Sequence, residues 1–182
     1  MKATGIVRRI DDLGRIVIPK EIRRVLRIRE GDPLEIFTEK DGEVIFKKYS
    51  LMGELSGCAE QICESLHKTS GMTAAICDRD NVIAASGTGK RDLLEKHISA
   101  ALEQVMENRG LYSGGENAAP LPVLEDDDHM AVSVAAPILS AGDVIGCVLF
   151  VAERETAASH GGELEQKLAQ MVAGFLGRQM EN

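Results

Sequence analysis

The sequence predicts an α+β protein in two parts: a small strand-rich head, and a larger body in which helices flank an antiparallel sheet. Short β-branched runs separated by turn residues fill residues 1–50, whereas apolar residues recur at helical spacing in residues 51–68 and again near the end of the chain. Charge divides at the same place, with a net charge of +3 over residues 1–50 and of −11 over the remainder. We therefore predict a head of residues 1–50, a linker helix of residues 51–69 and a body of residues 70–182.

The head is predicted to consist of short extended segments around one helix. The expected elements are extended strands at 4–10 and 15–18, a helix at 20–26, and a hairpin of strands 34–38 and 44–48. Pro19 stops the second segment and suits the start of the helix, where its missing N–H costs little. Asp41-Gly42 in the turn 40–42 supplies the positive φ that a tight hairpin needs. A head of this size without disulfides or a metal buries too little apolar surface to stand alone, so we expect an obligate dimer.

The body is predicted to follow the order helix, hairpin, helix, hairpin, helix. The expected elements are strands 73–77 and 82–85, a helix at 91–108, a loop-like stretch at 111–124, strands 130–139 and 144–152, and a helix at 163–180. Apolar stripes run along the helices at 51–68 and 163–180. These stripes either cover the sheet of their own chain or pair between chains as a helical bundle, and the sequence leaves both interpretations open.

The distribution of charge favours nucleic-acid binding, although the whole chain has a net charge of −8. Residues 1–29 contain nine Lys and Arg against three acidic residues, a net charge of +6. A basic segment attached to an acidic remainder is typical of nucleic-acid-binding proteins. Aromatic residues make up only 3% of the chain and Trp is absent, which disfavours carbohydrate sites and platforms for base stacking.

No motif in the chain predicts catalysis, a cofactor or a metal. The four cysteines lack C-x-x-C spacing and are interpreted as small buried residues of a reduced protein: Cys58, Cys63, Cys77 and Cys147. The GTGK run at 87–90 lacks the first glycine and the Ser or Thr of a phosphate loop. The acidic run 125–129 is more typical of a solvated loop than of a divalent cation site. No apolar run is long enough for a membrane helix and no signal peptide opens the chain, so we predict a cytoplasmic protein without a membrane partner.

Residues 4–24 carry a specific family pattern. Their sequence, TGIVRRIDDLGRIVIPKEIRR, closely resembles the AbrB-type transition-state regulators without a gap, and the similarity continues through Glu35-Ile36 and residues 47–49. The resemblance implies a swapped-hairpin β-barrel made by two chains, contact with double-stranded DNA, and a tetramer built from two dimers. It implies a regulator that activates and represses sporulation-stage genes. By its order of elements the body resembles a GAF domain, which implies a regulatory domain with a pocket for an unidentified small molecule.

The resemblance also implies which residues contact DNA. Carried over position by position, these are arginines of the head: Arg8, Arg9, Arg15, Arg23 and Arg24. Guanidinium groups are always charged and can hold phosphates or guanine edges with two hydrogen bonds. Arg8 and Arg9 are neighbours in an extended segment and should point to opposite faces, so we rank Arg8 above Arg9, following the family.

The sequence leaves two alternative functions open. Some swapped-hairpin barrels serve in toxin–antitoxin pairs, so the chain could bind a protein partner in the manner of an antitoxin. That class usually neutralises its toxin with a disordered tail, whereas this tail has the periodicity of a folded domain. A GAF-type methionine-sulfoxide reductase is the second alternative, and it would require a reactive cysteine such as Cys77 or Cys147.

Overall fold

The computed structural model describes residues 4–40, 42–50, 52, 55–115, 119–127 and 129–181. The chain divides into two compact units, the N-terminal unit Met1–Tyr49 and the C-terminal unit Ser50–Asn182. Each unit has its own secondary structure.

The N-terminal unit contains one short helix and one hairpin. Helix α1 spans Lys20–Val25 and is preceded by Pro19, as the sequence predicts. Strands β1 (Leu34–Thr38) and β2 (Val44–Lys48) pair antiparallel and have the predicted bounds. Gly42 in their turn has φ +81°, a conformation that glycine adopts without strain; Asp41, also predicted in this turn, lies outside the described residues.

Two strands predicted in the N-terminal unit are absent from the described part of a single chain. Residues 4–10 and 15–18 have no strand pairing, so this prediction was wrong for the isolated chain. A strand exists only where its N–H and C=O groups pair with a neighbour, and one copy supplies none for these segments. The consequence is a group of apolar side chains that are between 42% and 89% exposed: Ile6, Val7, Ile10, Leu13, Ile16 and Val17.

A buried carboxylate fixes the connection from α1 to the hairpin. Asp32 accepts a hydrogen bond from the backbone N–H of Arg29 at 2.8 Å and forms an ion pair with Lys48 Nζ at 3.3 Å. Lys48 Nζ also donates to the carbonyl of Arg27 at 2.8 Å. Because Asp32 is nearly inaccessible, its charge is balanced by a partner on β2, which joins the loop to the strand.

The C-terminal unit is an antiparallel sheet between helices. Its elements are α2 (Ser56–Ser70), β3 (Thr73–Cys77), β4 (Val82–Ser86), α3 (Lys90–Leu93), α4 (Ala100–Glu107), β5 (Tyr112–Ser113), β6 (Leu121–Pro122), β7 (Met130–Ser140), β8 (Asp143–Glu153) and α5 (Glu163–Gln179). The strand order is β4-β3-β8-β7-β5, with β6 also pairing with β7. Ala141 and Gly142, both at positive φ, form the two-residue turn of the predicted β7–β8 hairpin.

The helix predicted at 91–108 is two helices. Lys90–Leu93 ends before Glu95, which has φ +61° and cannot continue a helix. Helix α4 then starts after Ser99, whose Oγ accepts a hydrogen bond from Leu102 N at 3.0 Å. The stretch 111–124, predicted as a loop, contains the two short edge strands β5 and β6.

The sheet has a core on each face because side chains alternate along its strands. One core lies under α2 and α5, where Leu66 and Leu176 pack with Phe150. The other lies under α4, where Leu102 packs with Leu149. Both apolar helices thus cover the sheet of their own chain, which is the first of the two interpretations above. Part of the α5 stripe still remains exposed: Leu164, Met171 and Phe175.

Candidate functional site

All five predicted arginines lie in the N-terminal unit and are exposed. Arg23 and Arg24 occupy the last turn of α1. The carbonyl of Arg23 accepts a hydrogen bond from Ile28 N at 2.8 Å, and that of Arg24 accepts one from Arg27 N at 3.3 Å. These bonds fix the backbone that carries the two arginines, while their side chains extend into solvent as a pair of cationic groups.

Arg15 lies at the end of a tight turn that begins at Asp11. Asp11 N donates to the carbonyl of Arg15 at 3.1 Å, and Gly14 N donates to the carbonyl of Asp11 at 3.0 Å. Gly14 has φ +78°, which explains why a glycine stands at this position. The turn thereby places Arg15 immediately before the segment that leads to Pro19.

The carboxylate of Asp11 binds both the turn and the Arg15 side chain. Its Oδ1 accepts from Leu13 N at 3.0 Å and from Arg15 N at 2.8 Å, and its Oδ2 accepts from Arg15 Nε at 2.7 Å. The hydrogen bonds from the Arg15 backbone and then from its guanidinium lower the pKa of Asp11 below 3.8. We did not predict this residue from the sequence; the signal that could have found it is an aspartate four positions before an arginine, with a glycine between them.

Arg8 and Arg9 lie in the unpaired segment 4–10, and both are exposed. Since this segment has no strand pairing in one copy, the expectation that they point to opposite faces stays a prediction.

The cysteines of the C-terminal unit lack the properties of a nucleophilic site. Cys63, Cys77 and Cys147 are fully buried, and only Cys58 is exposed. Burial raises the pKa of Cys63 to about 12 and raises the pKa of Cys77 and of Cys147 well above the ordinary range. Since the thiolate is the reactive form, these buried thiols are poor nucleophiles.

The GTGK run and the acidic run do not form an anion or metal site in the described residues. Lys90 Nζ forms an ion pair with Glu60 Oε1 at 3.5 Å, and Thr88 contributes its carbonyl to a hydrogen bond from Thr73 Oγ1. In the acidic run, the Asp127 carboxylate accepts a hydrogen bond from His129 N at 2.8 Å, and Asp128 lies outside the described residues. No group of three or more potential metal-ligating side chains occurs among the residues that the structure describes.

The C-terminal unit, for which a small-molecule pocket is predicted, contains one unsatisfied buried side-chain polar group among the described residues. Ser133, at a bulge of β7 between the positions paired with β5 and β6, is fully buried. Within the described residues its Oγ has no hydrogen-bond partner. Residues 116–118, between β5 and β6, lie outside the described residues. Sequence periodicity gave no signal for this serine.

Two protein families match this chain, and each match falls largely within one of the two units. Residues 54–181 match the family described as "Stage V sporulation protein T C-terminal, transcription factor". Residues 7–51 match the family described as "Antidote-toxin recognition MazE, bacterial antitoxin".

Among the described residues, none of the helices has the length and apolar character that a membrane span requires.

Two of the curated relatives that this chain matches, both from Bacillus subtilis (strain 168), show how the similarity is distributed. Stage V sporulation protein T is 50% identical over 181 residues, which cover 100% of this chain and 99% of the relative. Transition state regulatory protein AbrB is 59% identical over 49 residues, which cover 27% of this chain and 50% of the relative. The full-length match therefore includes both units, whereas the AbrB match is confined to the arginine-bearing one.

A solved structure is similar to the C-terminal unit in fold. The GAF domain from Acinetobacter phosphoenolpyruvate-protein phosphotransferase superposes with a TM-score of 0.53 at 11% identity, covering 74% of this chain and 84% of that chain. At this identity the likeness shows the fold alone. It confirms the predicted fold class of a GAF-like antiparallel sheet with flanking helices.

Proposed function

This chain belongs to the stage V sporulation protein T family of transcription factors, and from that premise we propose that it regulates transcription by binding double-stranded DNA through its N-terminal unit. The observation that carries the proposal is the group of five exposed arginines, in a segment of net charge +6, within the part of the chain that is 59% identical to AbrB. In this proposal the target genes are those of sporulation, with both activation and repression, and the protein acts in the cytoplasm.

In this proposal the arginines contribute to DNA binding from different local structures. Arg23 and Arg24 extend from a fixed helical turn and suit contacts with phosphates, which supply most of the affinity. Arg15 lies at the end of the tight turn that begins at Asp11 and adds a further exposed guanidinium group. Arg8 and Arg9 add charge from the extended segment.

We infer that two copies complete one DNA-binding head. The support is the exposed apolar group in residues 6–17, together with two β-branched segments that have no strand partner among the described residues of one chain. Pairing with a second copy would satisfy their backbone groups and remove the apolar surface from water. The exposed face of α5, with Leu164, Met171 and Phe175, supports a further association of dimers into a tetramer.

We propose that the C-terminal unit regulates DNA binding by taking up a small molecule. The buried, unpartnered hydroxyl of Ser133 supports this, since such a group costs free energy until something bonds to it. A ligand of this kind needs a hydrogen-bonding group and a size that the GAF fold can enclose. A metabolite panel read by thermal unfolding tests the proposal; if no compound shifts the midpoint or alters DNA affinity, the unit serves oligomerisation alone.

The central experiment is fluorescence anisotropy of a labelled promoter duplex, titrated with the full-length protein at several salt concentrations. If about six to eight phosphates are neutralised per dimer, log K should fall with log salt at a slope of roughly −5 to −7. The Arg23→Ala/Arg24→Ala variant should bind more weakly and with a shallower slope. The matched control is Arg91→Ala/Lys96→Ala, which removes two exposed positive charges from the C-terminal unit and should leave both quantities unchanged. A slope near zero for the unmodified protein would reject electrostatic DNA binding.

One observation favours a second candidate, an antitoxin-like protein-partner binder: residues 7–51 match an antitoxin family. The folded C-terminal unit, which fits the transcription-factor family over residues 54–181, speaks against it. Co-purification of a stoichiometric partner, with no affinity for DNA at low salt, would favour this candidate.

The methionine-sulfoxide reductase alternative is disfavoured by the burial of Cys77 and Cys147.

A further inference from the structure

Asp11 is an acidic residue in the most basic part of the chain, where a negative charge opposes the approach of DNA. Its two carboxylate oxygens accept hydrogen bonds from different groups. Oδ1 holds the turn through two backbone N–H groups, and Oδ2 holds the guanidinium of Arg15 through Nε at 2.7 Å. The neighbouring Asp12 takes no part in this set of bonds, although it carries the same charge and is likewise exposed.

We propose that Asp11 is a positioning residue for DNA recognition, which gives up some affinity for phosphates in return for a fixed direction of the Arg15 side chain. This inference rests on the proposed function and adds to it the assignment of specificity to the Asp11–Arg15 pair. A guanidinium carries five N–H donors, so the bond through Nε leaves the four donors of the two Nη atoms for a guanine edge or a phosphate. A long side chain that is already held in one direction loses less conformational freedom when it binds.

The proposal makes the two acidic residues behave differently. Removing the charge of either one should strengthen binding to a duplex that lacks the preferred sequence, because one repulsive group disappears. Removing Asp11 should in addition weaken the discrimination between a preferred sequence and others, because Arg15 is no longer directed. The quantity that separates the two residues is therefore the ratio of the dissociation constants for non-preferred and preferred duplexes.

The experiment uses the full-length protein and two duplexes: one selected by this protein from a randomised library, and the same duplex with its bases scrambled. The variants are Asp11→Asn, the matched control Asp12→Asn, Arg15→Ala, and Asp11→Asn/Arg15→Ala. Asparagine at position 11 keeps a side-chain oxygen for the turn, so the Asp11→Asn variant retains its local fold. Asp12→Asn should tighten binding to both duplexes and preserve the ratio. Asp11→Asn should lower the ratio about fivefold or more, the scale of one oriented base contact.

The double variant distinguishes positioning from a general structural role. In the Arg15→Ala background, Asp11→Asn should cause no further fall in the ratio, since the side chain that it directs has been removed. The Nε–H resonance of Arg15 gives a second readout: it should be protected from exchange in the unmodified protein and lose that protection in Asp11→Asn.

Two results would overturn the inference alone. One is a ratio for Asp11→Asn equal to that of Asp12→Asn; the other is an equal fall in the ratio with and without Arg15, which would assign the effect to the turn itself. A failure of the unmodified protein to bind either duplex is distinguishable from both, because it overturns the proposed function and this inference with it.

Discussion

Cys77 and Cys147 lie directly opposite one another on strands β3 and β8, and both side chains are fully buried. The pair belongs to the core under α4, where each thiol fills space between apolar neighbours. Since burial raises the pKa of both thiols, they stay protonated and inert at neutral pH.

A thiol-reactive dye should therefore distinguish one cysteine from three. We expect Ellman's reagent to modify only Cys58 rapidly in the native protein, because the other three cysteines are fully buried. All four should react after denaturation. The Cys58→Ser variant should show no rapid phase, and a rapid reaction of two or more thiols in the native protein would contradict the burial of the others.

Two glycines of α5 should respond in opposite directions to alanine. An added Cβ at Gly177 would collide with the carbonyl oxygen of Leu139 on β7, whereas at Gly174 its nearest neighbour is an Arg178 side-chain nitrogen at 3.9 Å. We expect Gly177→Ala to lower the free energy of unfolding by about 1–3 kcal/mol, because the helix must move off the sheet. Gly174→Ala should raise it by about 0.5–1 kcal/mol, through the greater helix propensity of alanine. Urea unfolding measures both; equal effects at the two positions would mean that α5 does not approach β7 in this way.

Two buried serines offer a similar contrast. Ser99 Oγ accepts from Leu102 N and donates to the carbonyl of Pro122 at 2.7 Å, so Ser99→Ala should cost about 1–2 kcal/mol of stability. Ser133→Ala removes a hydroxyl that has no partner among the described residues, and should leave stability unchanged or raise it by about 1 kcal/mol. Thermal unfolding of the ligand-free protein is the measurement. A large loss of stability in Ser133→Ala would indicate that its hydroxyl is already bonded.

The pKa of Asp11 should depend on Arg15. We expect the Asp11 carboxyl to titrate below 3.8, because the Arg15 backbone and side chain both donate hydrogen bonds to its ionised form. The contribution of these bonds to stability is then fully present above pH 3.8 and is lost as the pH falls through the lower value in the folded protein. In Arg15→Ala the pKa should rise part of the way back, since the backbone bond remains. A ¹³C-detected NMR titration measures this pKa, and an unchanged value in Arg15→Ala would contradict the ion pair.

The elements that could be predicted from the sequence are those whose signals are local. The β1–β2 hairpin follows from β-branched residues on either side of Asp41-Gly42, and the β7–β8 hairpin from two long apolar runs around a short polar turn. The division of charge marks the N-terminal unit as basic whatever its detailed fold. The family pattern in residues 4–24 then predicts which arginines contact DNA. Charge alone does not distinguish these arginines from the other basic residues of the unit.

The features that escaped prediction depend on partners distant in sequence or absent from one chain. Residues 4–10 have the composition of a strand, yet a strand requires a neighbour that one copy does not provide. Strands β5 and β6 are two residues long, too short for any periodicity to show. The break after α3 depends on Glu95 at positive φ, a conformation that propensity disfavours and only the tertiary structure imposes. Asp11 escaped prediction because positive charge is the property that predicts DNA contacts, and an acidic residue lacks it.

The exposed apolar group in residues 6–17 affects how the DNA-binding activity of this protein depends on its amount in the cell. If one head needs two copies, then at low abundance the number of complete heads rises with the square of the number of free chains. Halving synthesis would remove about three quarters of the heads instead of half, as long as free chains predominate. Genes under its control would then respond to its synthesis as to a threshold. The assembly of two chains into one DNA-binding head would make this response steep, without any contribution from the promoter.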